Sequence, residues 1–97
     1  MHTDEYYMRQ ALREAQKAFD QDEVPVGAVL VMNDQIIARA HNQVELLNDC
    51  TAHAEILAIR LASERSGNHD LSGCVIYSSC EPCPMCFSAC HWARVSR

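Results

Sequence analysis

The sequence predicts an α/β domain: one sheet with helices on its faces, a three-layer α-β-α arrangement in the order α-β-β-α-β-α. Three observations carry this. Apolar residues recur at helical spacing through the first twenty positions. Two short runs rich in valine and isoleucine follow, separated by a turn signal. Two later junctions, TAHAE and CEPCPMC, each place reactive side chains where a helix begins. At 97 residues the chain is a single domain, 1–97.

The elements follow in order. From Asp4 to about Asp20, Met8, Ala11, Leu12, Ala15, Ala18 and Phe19 form an apolar stripe, with Arg9, Arg13, Glu14 and Lys17 opposite. QDEVP breaks that helix. VGAVLVM (26–32) is apolar without alternation, so both of its faces are expected to be covered. Asn33-Asp34 turns the chain into a second strand over 35–41, giving a hairpin. Residues 42–51 read as irregular. Thr51 is the expected cap of a helix starting near Ala52, with Ala54, Ile56, Leu57, Ile59, Leu61 and Ala62 as its apolar body and Gly67 as its stop. CVIYSS (74–79) is the third strand. Pro84 suits the first turn of a third helix running through Met85, Ala89 and Trp92, with Trp92 packing on the helix face. Three strands leave a sheet edge unpaired, which points to a homodimer or a shortened chain.

Composition narrows the function. The chain is 48% hydrophobic and 22% charged, an ordinary globular mix. A net charge of −5 gives no global attraction to nucleic acid, leaving Arg94 and Arg97 as the candidates for a local basic patch. MHTDEYYMRQ has no apolar segment of a signal peptide, and no run approaches the ~18 residues that span a bilayer. A cytoplasmic location without a membrane partner is the expectation. Six cysteines in that compartment favour metal binding or catalysis over a disulfide framework.

His53 and Glu55 open one helix, and Cys83 and Cys86 open another. One imidazole and two thiolates favour zinc, one ion per chain, and three protein ligands leave the fourth position open, as catalytic zinc sites do. A helix N-terminus stabilises thiolate over thiol, the form that binds metal. Glu55, beside the metal and not bound to it, suits proton transfer. His53-Ala-Glu55 followed by Pro82-Cys83-Pro84-Met85-Cys86 fits the general H-x-E…P-C-x-x-C signature of zinc nucleobase deaminases. Either half alone is weak. A His and a Glu opening a helix are commonly surface residues, and P-C-x-x-C is also half a structural zinc site or a redox motif. A second class stays open: Cys80, Cys83, Cys86 and Cys90 carry the C-x2-C-x2-C-x3-C spacing of an iron–sulfur run. There, however, proline follows the last cysteine, and here His91 does. That reading also leaves His53 and Glu55 without a role. A third reading is an inactive or structural zinc module.

With these motifs in place, the chain resembles the zinc-dependent cytidine deaminase-like superfamily over Asp4 to Arg97. EYYMRQALREAQKAFDQDEVPVGAVLV and IIARAHNQVELLND are similar to the tRNA adenosine deaminases. YSSCEPCPMC with HWAR is similar to the guanine deaminases. The resemblance implies a three-layer deaminase fold lacking the family's further C-terminal strands and helices. It implies zinc on His53, Cys83 and Cys86, and proton transfer by Glu55. Asn42 would hydrogen-bond the base, Pro25 and Val26 would line its pocket, and the backbone around Ala54 would contact the ring. The implied reaction is hydrolytic deamination of a purine, first adenosine to inosine at the tRNA wobble position. Guanine to xanthine and cytosine or cytidine deamination are the alternatives. Partners would be the purine base or nucleoside, in tRNA or another single strand, and a second copy of the chain. Cys50 departs from the family pattern, where proline is common.

Overall fold

The computed structural model describes residues 2–68, 70–80 and 83–95. Helix α1 spans Asp4–Asp20. Thr3 caps it, its hydroxyl accepting from the Tyr6 N–H at 3.2 Å, and Asp4 and Glu5 at the start and Lys17 at the end complement its dipole.

Strands β1 (Gly27–Met32) and β2 (Gln35–His41) form the expected hairpin, in register from Gly27 opposite His41 to Met32 opposite Gln35. Asn33 and Asp34 turn it with φ of 52° and 62°, the double left-handed pair a tight hairpin requires. A bulge opposite Leu30 and Val31 leaves Ile37 outside the pairing. Strand β3 (Val75–Ser78) pairs antiparallel with the other side of β1, so the sheet order is β2-β1-β3. β1 is therefore central, and it is covered on both faces as its unbroken apolar run required. Val29 and Val31 meet Tyr7 and Tyr77 on the α1 side. Ala28 and Leu30 pack with Ala54, Ala58 and Ala62 on the other.

A short helix α2 (Val44–Leu47) lies inside the stretch read as irregular. It is followed by α3 (Ala54–Ser66), whose alanines at four-residue spacing let its backbone approach the sheet closely. Gly67 ends α3 with φ 70°, as expected. Helix α4 (Pro84–Ala93) opens on Pro84 and packs beside α3. The layers are thus α1, the sheet, and α3 with α4.

Two expectations need correction. Thr51 does not cap α3; its N–H and its hydroxyl both donate to Asp49 Oδ1, at 2.9 and 2.7 Å, in a local turn. The cap position is His53, in extended conformation, and α3 starts at Ala54. Trp92 does not pack on its helix face: it is 81% exposed, and Phe87 beside it is 69% exposed.

Gly27 explains how close α1 sits to the sheet. A Cβ there would lie 2.2 Å from the Ala11 carbonyl oxygen and 2.4 Å from the Ala15 nitrogen. β1 and the residues after β2 are thereby fixed beneath the site described next.

Candidate active site

The site forms where the start of β1, the end of β2 and the N-termini of α3 and α4 meet. Asn42, just beyond β2, is buried; its N–H donates to the Val26 carbonyl at 3.1 Å and its Oδ1 accepts from the Ala54 N–H at 2.7 Å. This side chain caps α3 from twelve residues upstream and fixes where the helix begins. His53 precedes that first turn, and Cys83 holds the cap position of α4.

Three ligand atoms converge. His53 Nδ1 is 3.6 Å from Cys83 Sγ and 3.4 Å from Cys86 Sγ, and the two sulfurs are 3.5 Å apart. With zinc–nitrogen bonds of about 2.0 Å and zinc–sulfur bonds of about 2.3 Å, a tetrahedral ion has edges of about 3.5–3.8 Å. The triangle fits one zinc ion with one coordination position left over. Among the described residues this is the one such cluster, and neither Cys80 nor Cys90 joins it. That geometry does not support the iron–sulfur reading. Pro82 of the motif lies outside the described residues.

The two thiols are not equivalent. The Cys86 N–H donates to Cys83 Sγ at 3.5 Å, and this bond at the mouth of α4 holds the Cys83 thiol below its ordinary pKa. Burial pushes Cys86 up. Cys83 is the first thiolate available, and a cation would draw the proton from Cys86.

Glu55 lies in the first turn of α3 and is buried, with its Oε2 accepting from the Ser78 hydroxyl at 3.2 Å. It lines a cavity of about 440 Å³ with His53, Cys83, Asn42 and Val26. Val24, Val44, Glu45, Cys50 and Cys80 complete much of that wall. Pro25 is exposed and outside the lining, and Val24 stands where Pro25 was expected. Ala54 is fully buried and its N–H is taken by Asn42, so it offers a ring no donor.

Sequence reasoning missed Glu23. Its buried carboxylate accepts from the Glu45 and Leu46 N–H groups at 3.0 and 2.8 Å, holding α2 as a side of the cavity. An acidic residue beside Val24-Pro25 reads as exposed loop, and its partners lie more than twenty positions away. Arg94 is exposed and pairs with Asp70 at 3.5 Å, and Arg97 lies outside the described residues.

Residues 1–97 match the family model of the cytidine and deoxycytidylate deaminase zinc-binding region. The chain belongs to this deaminase family. The deaminase domain is 50% identical over 93 residues to the tRNA-specific adenosine deaminase of Aquifex aeolicus, covering 96% of this chain and 62% of that protein. It is 53% identical over 70 residues to the guanine deaminase of Bacillus subtilis, covering 72% of this chain and 45% of that one. A solved structure of the Bacillus subtilis guanine deaminase superposes with a TM-score of 0.95 at 42% identity, over 98% of this chain and 61% of that chain. The deaminase domain thus spans about three fifths of the length of such relatives. Among the described residues no helix is long and apolar enough to cross a membrane.

Proposed function

We propose that this domain hydrolytically deaminates a purine base, with adenosine in tRNA as the substrate. The observation that carries the reading is the His53–Cys83–Cys86 triangle, two of whose members, His53 and Cys83, line one cavity with the buried Glu55. His53, Cys83 and Cys86 would hold zinc, which supplies a Lewis acid and lowers the pKa of a water to roughly 7 in favourable sites.

The chain's own residues do the rest. Glu55 takes a proton from the attacking water and delivers it to the ring nitrogen; it then takes the second proton, from the hydroxyl newly bound to the carbon, and delivers it to the leaving amine. The carbon that bore the amine becomes a carbonyl, and ammonia departs. For adenosine the product is inosine. Asn42, held by its bond to Ala54, is one of the residues lining the cavity, and its Nδ2 would donate to the base. A base in a polynucleotide must be unpaired to enter, which suits the wobble position of an anticodon loop. The similarity to tRNA-specific adenosine deaminases supports this substrate.

Free guanine is the second reading, and one observation favours it. Asp22, Glu23 and Glu45 line the cavity, and no Lys or Arg does among the described residues. Such a wall suits an uncharged base better than a phosphodiester backbone. The CEPCPMC segment, shared in type with guanine deaminases, points the same way. We also assign the domain to the cytoplasm as a homodimer, supported by the exposed Phe87 and Trp92 on α4; light scattering at micromolar concentration should give twice the chain mass.

The test is ammonia release from guanine, adenosine, cytidine and an anticodon stem-loop. Turnover of the stem-loop, reduced at least ~100-fold in Glu55→Ala, is expected. Guanine turnover without stem-loop turnover would replace the first reading by the second. Equal rates for wild type and Glu55→Ala would remove catalysis by this site.

A further inference from the structure

We infer that Ser78 is a positioning residue for Glu55; the inference rests on the proposed proton-transfer role of that carboxylate. Ser78 is the last residue of β3. Its hydroxyl donates to Glu55 Oε2 at 3.2 Å and accepts from the Cys80 N–H at 3.4 Å. A hydroxyl has one proton, so the Cys80 contact orients it and the proton goes to the carboxylate.

The anchor is stationary. Next to it, the Ser79 N–H donates to the Gly27 carbonyl at 2.9 Å, and the Ser79 hydroxyl accepts from the Gly27 N–H at 3.0 Å. The end of β3 is therefore tied to the central strand at the residue α1 packs against. Ser78 transmits that fixed point to a side chain on α3.

Glu55 needs such a restraint because it borders two spaces. One is the 440 Å³ cavity lined by His53 and Cys83 of the metal triangle. The other, of about 740 Å³, opens along β3 and is lined by Glu55, Ser78, Cys80, Cys90 and His91. A glutamate side chain has three rotatable bonds and room on both sides. The bond to Oε2 leaves Oε1 without a hydrogen bond from any described residue, so Oε1 would be the oxygen that meets the attacking water. Without the Ser78 hydroxyl the carboxylate can turn into the second space, away from the reacting atoms. Preorganisation of this kind acts on the turnover step and not on substrate affinity.

The experiment compares Ser78→Ala and Ser78→Thr with the wild type. Ser78→Ala is expected to lower kcat about 10- to 100-fold with KM unchanged. Zinc content should stay at one per chain and the melting temperature within a few degrees. Ser78→Thr, which keeps the hydroxyl, should restore kcat. A crystal structure of Ser78→Ala should show the Glu55 carboxylate turned toward the β3 side. A wild-type kcat in Ser78→Ala, equal impairment of both variants, or loss of zinc from Ser78→Ala would overturn the assignment. If the wild type releases no ammonia from any purine, the proposed function fails by itself. The crystal structure then decides separately, and an unmoved Glu55 overturns the positioning role.

Discussion

Asn42 Oδ1 accepts a hydrogen bond from the backbone N–H of Ala54 at 2.7 Å, and this one contact sets where the helix carrying Glu55 begins. It also turns His53 into the residue just before the helix, with extended backbone that aims its ring at the two sulfurs. Two functions of Asn42 can be separated. Asn42→Ala removes the cap and leaves a buried N–H unpaired, so it should destabilise by about 1–2 kcal/mol. For a domain of this size that lowers the melting temperature by roughly 4–8 °C per kcal/mol. Asn42→Asp keeps the acceptor and loses the amide donor. Its melting temperature should stay near wild type while ammonia release falls. An Asp variant as active as wild type would take the base contact away from this residue.

Gly27 offers a prediction of stability alone. The backbone atoms of Ala11 and Ala15 lie where its Cβ would go, and backbone cannot rotate aside. Gly27→Ala should force α1 off the sheet and cost at least the upper end of the ~1–3 kcal/mol typical of overpacking. Gly67→Ala differs in kind: nothing lies within 4 Å, and only its φ of 70° resists a side chain. About 1 kcal/mol is expected there. Urea midpoints should rank wild type above Gly67→Ala and both above Gly27→Ala. A Gly27→Ala midpoint at or above that of Gly67→Ala would show that α1 has room to move.

These two residues also mark what was legible in the sequence. The helix over Asp4–Asp20, the hairpin and the helix opening at Pro84 follow from signals within a few residues: an apolar stripe, a left-handed turn pair, a proline. The Cys83 and Cys86 pair was legible because its spacing is local, and bringing in His53 from 30 positions upstream is what the fold adds. The start of α3 was misplaced because Thr51 is a good cap by type, and its hydroxyl is captured by Asp49 instead. The true cap, Asn42, lies in another loop. Helix α2 was missed for the same reason: Gln43 gives it no side-chain cap, and Glu23 supplies one from a distant position. Trp92 was assigned to packing because an indole is usually covered, and nothing among the described residues covers it.

The unequal thiols predict an order of reaction. A depressed pKa means more thiolate at a given pH, and a raised pKa means less. Cys83 is lowered and Cys86 raised, and Cys83 is also the more accessible. In chelator-treated protein at pH 8, iodoacetamide should label Cys83 well before Cys86, read by peptide mass mapping. Zinc added first should protect both, while exposed Cys50 and Cys80 label in either case. Lowering the pH toward 6 should slow Cys83 less than it slows free cysteine, because the Cys83 thiolate persists further down. Cys86 reacting as fast as Cys83, or zinc failing to protect the pair, would contradict the proposed ligand set.

Glu23 predicts a change in substrate affinity with little change in turnover. Its two oxygens receive the first-turn N–H groups of α2, which stand beside Val44 and Glu45 in the cavity wall. Hydrogen bonds to a charged acceptor are worth about 1.5–3 kcal/mol, and a four-residue helix has little else to hold it. Glu23→Ala should therefore release α2 and loosen that wall. The Glu45 and Leu46 amides should exchange with deuterium faster, while those of α3 and β1 keep their protection. KM should rise several-fold with kcat nearly unchanged, because the hydrogen bonds of the Glu23 carboxylate go to α2 and not to Glu55 or the metal triangle among the described residues. Glu23→Gln keeps one good acceptor and should fall between the two. Faster α2 exchange without a rise in KM would mean that this wall does not meet the substrate.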